Sequence, residues 1–160
     1  MLEKYLRLMK LNQTTLGKLR YLVLQPTREL VAQCHSMLEN LAKYMKSSFT
    51  SCAIFGGTSI HHQRRELEAQ PDLVVCTTGR LLDHLNNTKG FTLENVEILV
   101  LDEADKLLEM GFKDELMEII RNCGNPKRQT LMVSATLNQD IKELARLALK
   151  EPLQFTVSQQ

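Results

Sequence analysis

The fold class of this chain is decided by one stretch of sequence, Val96-Glu97-Ile98-Leu99-Val100-Leu101-Asp102-Glu103-Ala104-Asp105. Residues 96–101 are apolar except for Glu97, and two adjacent acidic residues follow them at once. A short apolar run bounded by polar residues is typical of a strand buried on both faces, as strands of parallel sheets are. Ligands of such sheets bind at the carboxyl ends of the strands, so residues 102–105 are predicted to lie at a binding edge.

Segments of the same apolar kind alternate with segments of helical periodicity along the chain. The predicted strands are residues 19–25, 51–55, 73–76, 96–101, 130–133 and 153–157. The predicted helices are residues 1–9, a helix capped by Thr27 that runs to Met45, and residues 61–69, 79–85, 112–123 and 141–149. This alternation predicts an α/β fold, in which a doubly wound, mainly parallel sheet has helices on both faces.

The composition is that of an ordinary globular protein. The chain has 160 residues, of which 43% are hydrophobic and 24% charged, and its formal net charge is +1. This balance carries no signal for nucleic-acid binding, so any such contact would come from a few well-placed groups. No apolar run is long enough to cross a membrane, and the N-terminus has no secretory signal pattern. The chain is therefore predicted to be intracellular, without a membrane partner.

The four cysteines and the adjacent His61 and His62 are predicted to be packing or surface residues. No two cysteines form a C-x-x-C metal pattern, and no other ligand is suitably spaced for the two histidines. The cysteines are expected to be buried free thiols of a reducing compartment, although a disulfide framework stays open in principle.

Polar, glycine or charged residues follow each of the first five predicted strands. They are Pro26-Thr27-Arg28-Glu29-Leu30, Gly56-Gly57, Thr77-Thr78-Gly79-Arg80, Asp102-Glu103-Ala104-Asp105 and Ser134-Ala135-Thr136. An apolar strand does not need such residues for its own packing. Because ligands bind at the carboxyl ends of parallel strands, these five segments contain the candidate functional residues.

The adjacent carboxylates of Asp102 and Glu103 fit a magnesium-dependent reaction at a phosphate. Mg²⁺ is a hard cation that prefers oxygen ligands and keeps several waters, so one carboxylate is enough to hold it. Asp102 is predicted to hold Mg²⁺ through water, and Glu103 to polarise the water that attacks a γ-phosphate. A second interpretation stays open, in which both acids merely begin the next helix, where the macrodipole favours negative charge.

In order and spacing, the five segments resemble the motifs of the DEAD-box ATP-dependent RNA helicases. Residues 26–30 match the family motif P-T-R-E-L, residues 56–57 its glycine doublet, and residues 134–136 its S-A-T motif. Residues 77–80 are similar to T-P-G-R, and residues 102–105 spell the motif that names the family. The resemblance extends over essentially the whole chain. It implies a RecA-like domain, with ATP and Mg²⁺ as cofactors and RNA as a partner.

The resemblance also implies which residues contact RNA. In the family, the first three motifs grip the RNA backbone with hydroxyls, arginines and backbone amides, which suit phosphate oxygens. The corresponding residues here are Pro26, Thr27, Arg28, Glu29, Gly56, Gly57, Thr77, Gly79 and Arg80. Simpler roles stay open for several of them: Gly56 as a turn residue, Arg28 as the partner of an acid, and Thr27 as a helix cap.

By the same resemblance, Ser134 and Thr136 are expected to hydrogen-bond Asp105, the second aspartate of the acidic segment. Such a link would couple the nucleotide site to the separation of RNA strands. The alternative is that the two hydroxyl residues only cap the end of their strand.

Two departures from the family pattern affect these expectations. Thr78 replaces the usual proline, which would fix the backbone angle φ, so a looser RNA-contacting loop is expected. A G-x-G-K-T phosphate loop is absent from residues 1–25, where Gly17 is the only glycine. Residues 1–160 are therefore interpreted as a partial, N-terminally truncated first RecA-like ATP-binding domain. Without the loop lysine and the second RecA-like domain of a parent chain, these residues are expected to lack ATPase activity.

The resulting expectation is a piece of an ATP-dependent RNA helicase that couples ATP binding and hydrolysis to RNA duplex remodelling. Residues 83–91 are most similar to nucleolar members of the family that act in ribosome biogenesis, which implies ribosomal RNA processing and a nuclear or nucleolar location. One rival hypothesis is a non-catalytic RNA-binding or decoy domain. Another is an unrelated doubly wound α/β protein whose acids bind a metal, and the five motifs argue against it.

Overall fold

The computed structural model describes residues 18–44 and 49–157, which build a five-stranded sheet covered by helices. The strands are β1 (Tyr21–Leu24), β2 (Ser51–Ile54), β3 (Leu73–Cys76), β4 (Ile98–Leu101) and β5 (Gln129–Met132). Every neighbouring pair is parallel, in the spatial order β2-β3-β1-β4-β5. The predicted α/β class, with a parallel sheet, is confirmed.

Helices follow the strands in the described part of the chain. They are α1 (Arg28–Ala42), α2 (Ile60–Glu68), α3 (Thr78–Asn87), α4 (Ala104–Glu109), α5 (Lys113–Asn122) and α6 (Gln139–Ala148). Side chains of Thr27, Ser59 and Asn138 accept hydrogen bonds from the first turns of α1, α2 and α6. These caps satisfy N–H groups that a helix leaves unpaired, so each of these helices begins at a defined residue. None of the described helices is long and apolar enough to span a bilayer.

Alternate residues of the central strand β1 belong to two separate parts of the core. Tyr21 and Val23 pack on the face that α1 covers. Leu22 and Leu24 belong to the larger cluster on the other face. Helices α2 to α6 contribute one leucine each to that cluster, among other residues: Leu67, Leu81, Leu107, Leu116 and Leu144. Because both faces of β1 are covered, each of its positions carries an apolar side chain, and the strand shows no polar alternation.

The predicted last strand, residues 153–157, is wrong. Leu153, Phe155 and Val157 are 84%, 87% and 93% exposed, and the segment is irregular chain after α6. A strand forms only where a neighbouring edge can exchange backbone hydrogen bonds with it, and apolar composition alone does not supply that edge.

Smaller differences concern the boundaries of helices and strands. Helix α4 begins within the acidic segment and is too short, at six residues, to show a periodic pattern in the sequence. Helix α3 begins at Thr78, one residue before its predicted start, and β5 begins at Gln129 instead of Thr130. The helix predicted over residues 1–9 lies outside the described residues.

The cysteines are free thiols, as expected. Burial raises the pKa of Cys52 to about 12 and that of Cys123 to about 11, and Cys76 is buried as well. Cys34 differs from the expectation, since it is only partly buried. Buried thiols with a raised pKa are poor nucleophiles and poor metal ligands, so these side chains serve the packing of the core. His61 and His62 are exposed, as predicted.

Strand β5 is the edge of the sheet on the side of β4 in the described part of the chain. Leu131 of this strand is 42% exposed, and Val133, the residue directly after the strand, is 55% exposed. An open edge with apolar side chains favours association with other strands, so this side of the sheet is the exposed apolar margin of the fold.

Candidate functional site

The register of the sheet brings the five candidate segments to one edge. Leu24 of β1 pairs with Cys76 and Leu101, so these three strands end at the same level. The ends of β2 and β5 are aligned with them in the same way, through the pairs of Ile54 with Cys76 and of Leu101 with Met132. Every segment that follows a strand therefore begins at the carboxyl edge, where parallel α/β sheets bind their ligands.

The order of strands in space divides this edge into two halves. Strands β2, β3 and β1 are neighbours, so the segments 56–57, 77–80 and 26–29 lie side by side. The other half, after β4 and β5, carries residues 102–105 and 134–136. All three segments predicted to contact RNA thus occupy one half, and the acidic and S-A-T segments occupy the other.

Asp102 directly follows β4 and is held by hydrogen bonds to both carboxylate oxygens. Gln25 Nε2 donates to Asp102 Oδ2 over 2.9 Å, and the Glu103 backbone N–H donates to Oδ1 over 2.9 Å. The backbone N–H of Asp102 donates to the carbonyl of Leu24 over 3.1 Å, which continues the sheet ladder. The position of this carboxylate is consequently determined by two strands.

The residues present fit a hydrated Mg²⁺ ion. The Asp102 carboxylate is half-buried and keeps lone pairs beyond those that its two donors use. In the described ranges, no three His, Cys, Asp or Glu side chains are grouped so that they could enclose a metal. Mg²⁺ commonly keeps several waters and uses one or two carboxylates together with substrate phosphates, so a lone placed aspartate is a suitable donor.

Gln25 is a site residue that the sequence analysis missed. It is 3% exposed, although glutamine is usually a surface residue, and its amide joins the end of β1 to Asp102 after β4. The available signal was a polar residue at the end of the apolar run Tyr21–Leu24, just before Pro26. That signal does not reveal the partner, because Asp102 is 77 residues away in the chain.

Glu103 combines a strained backbone with an ion pair. Its φ of 46° and ψ of 50° place it in the left-handed region, which is unfavourable for a residue with a Cβ atom. Its Oε2 atom lies 2.7 Å from Lys106 Nζ, and this hydrogen bond is the main cause of the raised pKa of Lys106. The strain sits at the residue predicted to act on water, as is common at functional sites.

Asp105, Ser134 and Thr136 are close to one another in the fold but are not hydrogen-bonded as expected. Asp105 is 7% exposed, and its Oδ1 accepts from the Lys106 N–H over 3.2 Å. Ser134 Oγ donates to the Thr136 carbonyl over 2.8 Å. In the described part of the chain, a backbone hydrogen bond 2.9 Å long runs from the Ala104 N–H of the acidic segment to the carbonyl of Val133, the residue just before Ser134. The coupling role of the three side chains stays a prediction.

The Arg28 side chain, which follows β1, contacts the glycine doublet, which follows β2. Arg28 Nη1 donates to the Gly56 carbonyl over 3.4 Å. Gly57 has a φ of +87°, and a Cβ atom at that position would lie 2.5 Å from Arg28 Nη1. The positive φ therefore favours glycine at position 57, and a larger residue there would also displace the exposed Arg28 guanidinium. Gly56 shows no such crowding, so its simpler role in the turn is unaffected.

The remaining residues of segment 26–29 begin α1. The hydroxyl of Thr27 accepts from the Leu30 N–H over 3.3 Å, so the threonine caps the helix as its simpler interpretation stated. Pro26 is buried, and Glu29 is exposed in the first turn, where an acid is favourable. The predicted contact of Thr27 with RNA would be a second role, in addition to capping the helix.

Segment 77–80 forms the start of α3. Thr77 is the N-cap residue, and its side chain makes no capping hydrogen bond, so its hydroxyl is not used in starting the helix. Thr78 is 1% exposed and its hydroxyl donates to the Glu115 carboxylate of α5. This hydrogen bond to another helix restrains the threonine side chain at a position where proline would restrain φ, and the expectation of a looser loop stays a prediction. Gly79 is exposed beside it.

Arg80 is the most strongly held of the predicted RNA-contacting residues. Its Nη1 donates to the Thr58 carbonyl over 3.1 Å and to Gln63 Oε1 over 3.0 Å. Its Nε lies 3.7 Å from a carboxylate oxygen of Asp83. The side chain is 15% exposed, so the guanidinium is placed by its surroundings before any ligand arrives.

Comparisons with known proteins agree with this architecture. The DEAD/DEAH box helicase family model matches residues 4–144. The chain belongs to the DEAD/DEAH box helicase family. Its sheet and helices are similar to the yeast DEAD-box splicing factor Prp28, with a TM-score of 0.79, 31% identity, and coverage of 91% of this chain and 35% of that one. A DEAD box protein from Methanococcus jannaschii gives a TM-score of 0.77 with 34% identity, over 85% and 36% of the two chains. The RecA-like fold implied by the resemblance is thereby confirmed.

Curated relatives are more similar in sequence but much longer. The probable ATP-dependent RNA helicase ddx27 of Dictyostelium discoideum is 52% identical over 139 residues, which are 87% of this chain and 17% of the relative. The ATP-dependent RNA helicase DRS1 of Mycosarcoma maydis is 47% identical over 141 residues, which are 88% of this chain and 15% of the relative. The chain thus spans about a sixth of the length of these relatives.

One prediction concerns the strained backbone of Glu103. The variants Glu103→Gly and Glu103→Ala both lack the carboxylate, but only glycine adopts a positive φ without a steric cost. We expect the glycine variant to have the higher free energy of unfolding, by about 1 kcal/mol, in urea titrations. The same pair of substitutions at Glu118, an exposed residue inside α5, is the control, and there alanine should be the more stable by about 1 kcal/mol. Equal stabilities at position 103 would contradict a left-handed Glu103.

Proposed function

We propose that the chain is part of the first RecA-like domain of an ATP-dependent RNA helicase. In this proposal, the parent protein couples the binding and hydrolysis of ATP to the remodelling of RNA duplexes. The observation that carries it is the division of the carboxyl edge. Three phosphate-suited segments stand together after β2, β3 and β1, and a placed aspartate follows β4 beside them. The printed names of the relatives, which are ATP-dependent RNA helicases, support the same activity.

In the acidic half of the edge, Asp102 would hold Mg²⁺ through water and Glu103 would orient and polarise a water molecule. The ion would supply neutralising charge at the β- and γ-phosphates of ATP. Gln25 keeps the Asp102 carboxylate in place from the neighbouring strand. Glu103 would first have to exchange its ion pair with Lys106 for the water, and the exposed lysine side chain is free to move away.

In the other half of the edge, RNA phosphates would meet the guanidinium groups of Arg28 and Arg80, the hydroxyls of Thr27 and Thr77, and the backbone of Gly57 and Gly79. Two helices, α1 and α3, begin at this edge, and their N-termini favour anions. Such contacts would not depend on base sequence, would weaken with salt, and would leave selection of RNA over DNA to the 2′-hydroxyl. This explains how a chain with a net charge of +1 could still bind RNA.

Hydrolysis needs parts that residues 1–160 do not contain. The sequence has no G-x-G-K-T segment, which supplies the phosphate-binding lysine and a second magnesium ligand in this family. A second RecA-like domain would complete the site from across a cleft. A second candidate function follows from the same observation: a non-catalytic RNA-binding domain that keeps segments 26–29, 56–57 and 77–80 without turnover of ATP.

The proposal extends to ribosomal RNA processing in the nucleus or nucleolus. It is supported by the similarity of residues 83–91 to ribosome-biogenesis members of the family. Because phosphate contacts do not read sequence, the proposed RNA-contacting residues would bind RNA backbones of any sequence.

Our second prediction addresses ATP hydrolysis. The 160-residue chain should show no RNA-stimulated ATPase activity. A two-domain protein that adds a phosphate loop and a second RecA-like domain should show it. Glu103→Gln in that protein should lower kcat by about 100-fold or more, since a positioned base contributes this much. Glu109→Gln, an exposed acid on α4, serves as the control and should change nothing. Comparable ATPase activity in the 160-residue chain would contradict the proposed need for the phosphate loop and the second domain. A two-domain protein that binds RNA without hydrolysing ATP would favour the non-catalytic RNA-binding domain.

The third prediction addresses RNA binding by the 160-residue chain. A double substitution, Arg28→Ala with Arg80→Ala, should weaken binding of single-stranded RNA by about ten-fold or more at low salt. It should also flatten the dependence of affinity on salt concentration, because two phosphate contacts are lost. Arg121→Ala with Arg146→Ala removes the same charge from the last turns of α5 and α6, and it should have little effect. Fluorescence anisotropy at several salt concentrations measures both the affinity and its dependence on salt. Equal affinities for the two double variants would remove the RNA-contact assignment.

A further inference from the structure

Two buried polar residues, Gln63 of α2 and His84 of α3, stand behind the predicted RNA-contacting segments. Gln63 is 2% exposed and His84 is fully buried. Neither belongs to a segment that follows a strand, and the acidic half of the edge does not use them. Burying polar groups of this kind is unfavourable unless each finds partners, so their hydrogen bonds indicate what they do.

The carboxamide of Gln63 bridges two of those segments. Its Nε2 donates to the Phe55 carbonyl over 2.9 Å and to the Thr58 hydroxyl. Its Oε1 accepts from Arg80 Nη1 over 3.0 Å and from His84 over 3.2 Å. A backbone carbonyl only accepts, so the nitrogen of the amide must face Phe55 and the oxygen must face Arg80. One side chain thereby ties the turn of residues 55–58 to the guanidinium on α3.

His84 holds that carboxamide in its orientation. Since Gln63 Oε1 only accepts, His84 Nε2 must carry the proton. His84 Nδ1 then accepts from the Thr88 hydroxyl over 2.8 Å. Burial and the cation of Arg80 lower the pKa of His84, with Arg64 acting in the same direction and Asp83 opposing it. The imidazole is therefore neutral at pH 7, in a single tautomer.

Arg80 gains a fixed position from this arrangement. The Nη1 group is occupied by the Thr58 carbonyl and by Gln63, and Nε faces Asp83. Within the described residues, Nη2 has no hydrogen-bond partner, so one amino group of the guanidinium remains for a ligand oxygen. A free arginine loses side-chain entropy when it binds. Prior ordering of one such side chain is expected to strengthen binding by roughly three- to ten-fold.

We propose that Gln63 and His84 are positioning residues that fix Arg80 and the turn of residues 55–58 as one unit facing an RNA phosphate backbone. This inference rests on the proposed RNA-binding function. It adds that two side chains without any contact to RNA set the geometry of the contact. The spacing between the Gly57 amide and the Arg80 guanidinium is then a property of the folded chain and does not depend on the ligand.

The buried histidine gives the fourth prediction, on pH dependence. Because the folded pKa of His84 is lowered from 6.5, the unfolded chain binds its proton first as the pH falls. The contribution of neutral His84 to the free energy of unfolding is therefore fully present above pH 6.5, and it decreases as the pH falls below that value. The free energy of unfolding should thus fall more steeply from pH 7 to pH 5 in the unaltered chain than in His84→Gln. His61→Gln, an exposed histidine on α2, should keep the steep dependence, and a steep dependence in His84→Gln would contradict the assignment.

The test of the positioning role is a double-substitution cycle in the 160-residue chain, and it gives the fifth prediction. Gln63→Leu should weaken binding of single-stranded RNA by roughly three- to ten-fold, with folding checked by near-ultraviolet circular dichroism. In the Arg80→Ala background, Gln63→Leu should have little further effect, because the two act through the same contact. His84→Leu should behave like Gln63→Leu. His84→Gln, whose amide can still donate to Gln63, should restore most of the affinity.

A matched control separates positioning from general loss of stability. Asp72→Asn alters a buried carboxylate that accepts hydrogen bonds from Thr50 at the opposite end of the sheet. It should lower the melting temperature without changing RNA affinity well below that temperature. If Gln63→Leu weakens binding equally with and without Arg80, or if Asp72→Asn weakens it as much, the positioning role is overturned.

A spectroscopic readout keeps this inference distinct from the proposed function. Nitrogen-15 NMR of the imidazole should place the His84 proton on Nε2 and leave Nδ1 unprotonated at pH 7. A proton on Nδ1 overturns the network, even if RNA binds. Failure of the unaltered chain to bind RNA, with the tautomer as expected, overturns the proposed function and the RNA role of the network together.

Discussion

The parallel pairing of β1 with both β3 and β4 is the constraint on which the rest of the structure depends. Leu24, Cys76 and Leu101 share one level of the sheet, so three different segments begin side by side. The central strand β1 is buried on both faces and has no polar side chain free for a ligand. The chemistry therefore has to lie in the residues just beyond the strands, and their level is set by backbone hydrogen bonds of the sheet. A shift of register by one residue would separate Gln25 from Asp102.

The two halves of the carboxyl edge are stabilised in different ways. In the acidic half, a glutamine from one strand holds an aspartate after another, and the next residue, Glu103, has a left-handed backbone. In the other half, the groups that would face RNA are tied together by helical side chains, through Gln63 and His84. The first arrangement places one charge accurately, whereas the second sets the spacing between separate donors. Both arrangements use buried polar side chains. Leaving such a side chain without a hydrogen-bond partner is unfavourable, so conformations that break these hydrogen bonds are disfavoured.

Much of the fold was predictable because it depends on local patterns. The apolar runs located all five strands of the sheet, and Thr27 was correctly predicted as a helix cap. Residues 153–157 have a strand-like composition but no partner strand in the described structure, so they form no strand. Helix α4 was not predicted, because its six residues are too few to show a helical period. Gln25, Gln63 and His84 were missed for another reason: the residues adjacent to each in the chain do not show that its side chain is buried, and its role depends on a partner far along the chain.

The sequence by itself determined the α/β class, the parallel sheet and the five segments that carry the candidate chemistry, because these follow from periodicity and from residues adjacent in the chain. The tertiary structure alone decided which segments are neighbours. It placed β1 between β3 and β4, and so put the arginine and glycine segments in one half of the edge and the acids in the other. It also decided that Thr78 is restrained by Glu115 and that Arg80 is held by Gln63. These contacts join residues many positions apart, and only the packing of helices on the sheet brings them within hydrogen-bonding distance.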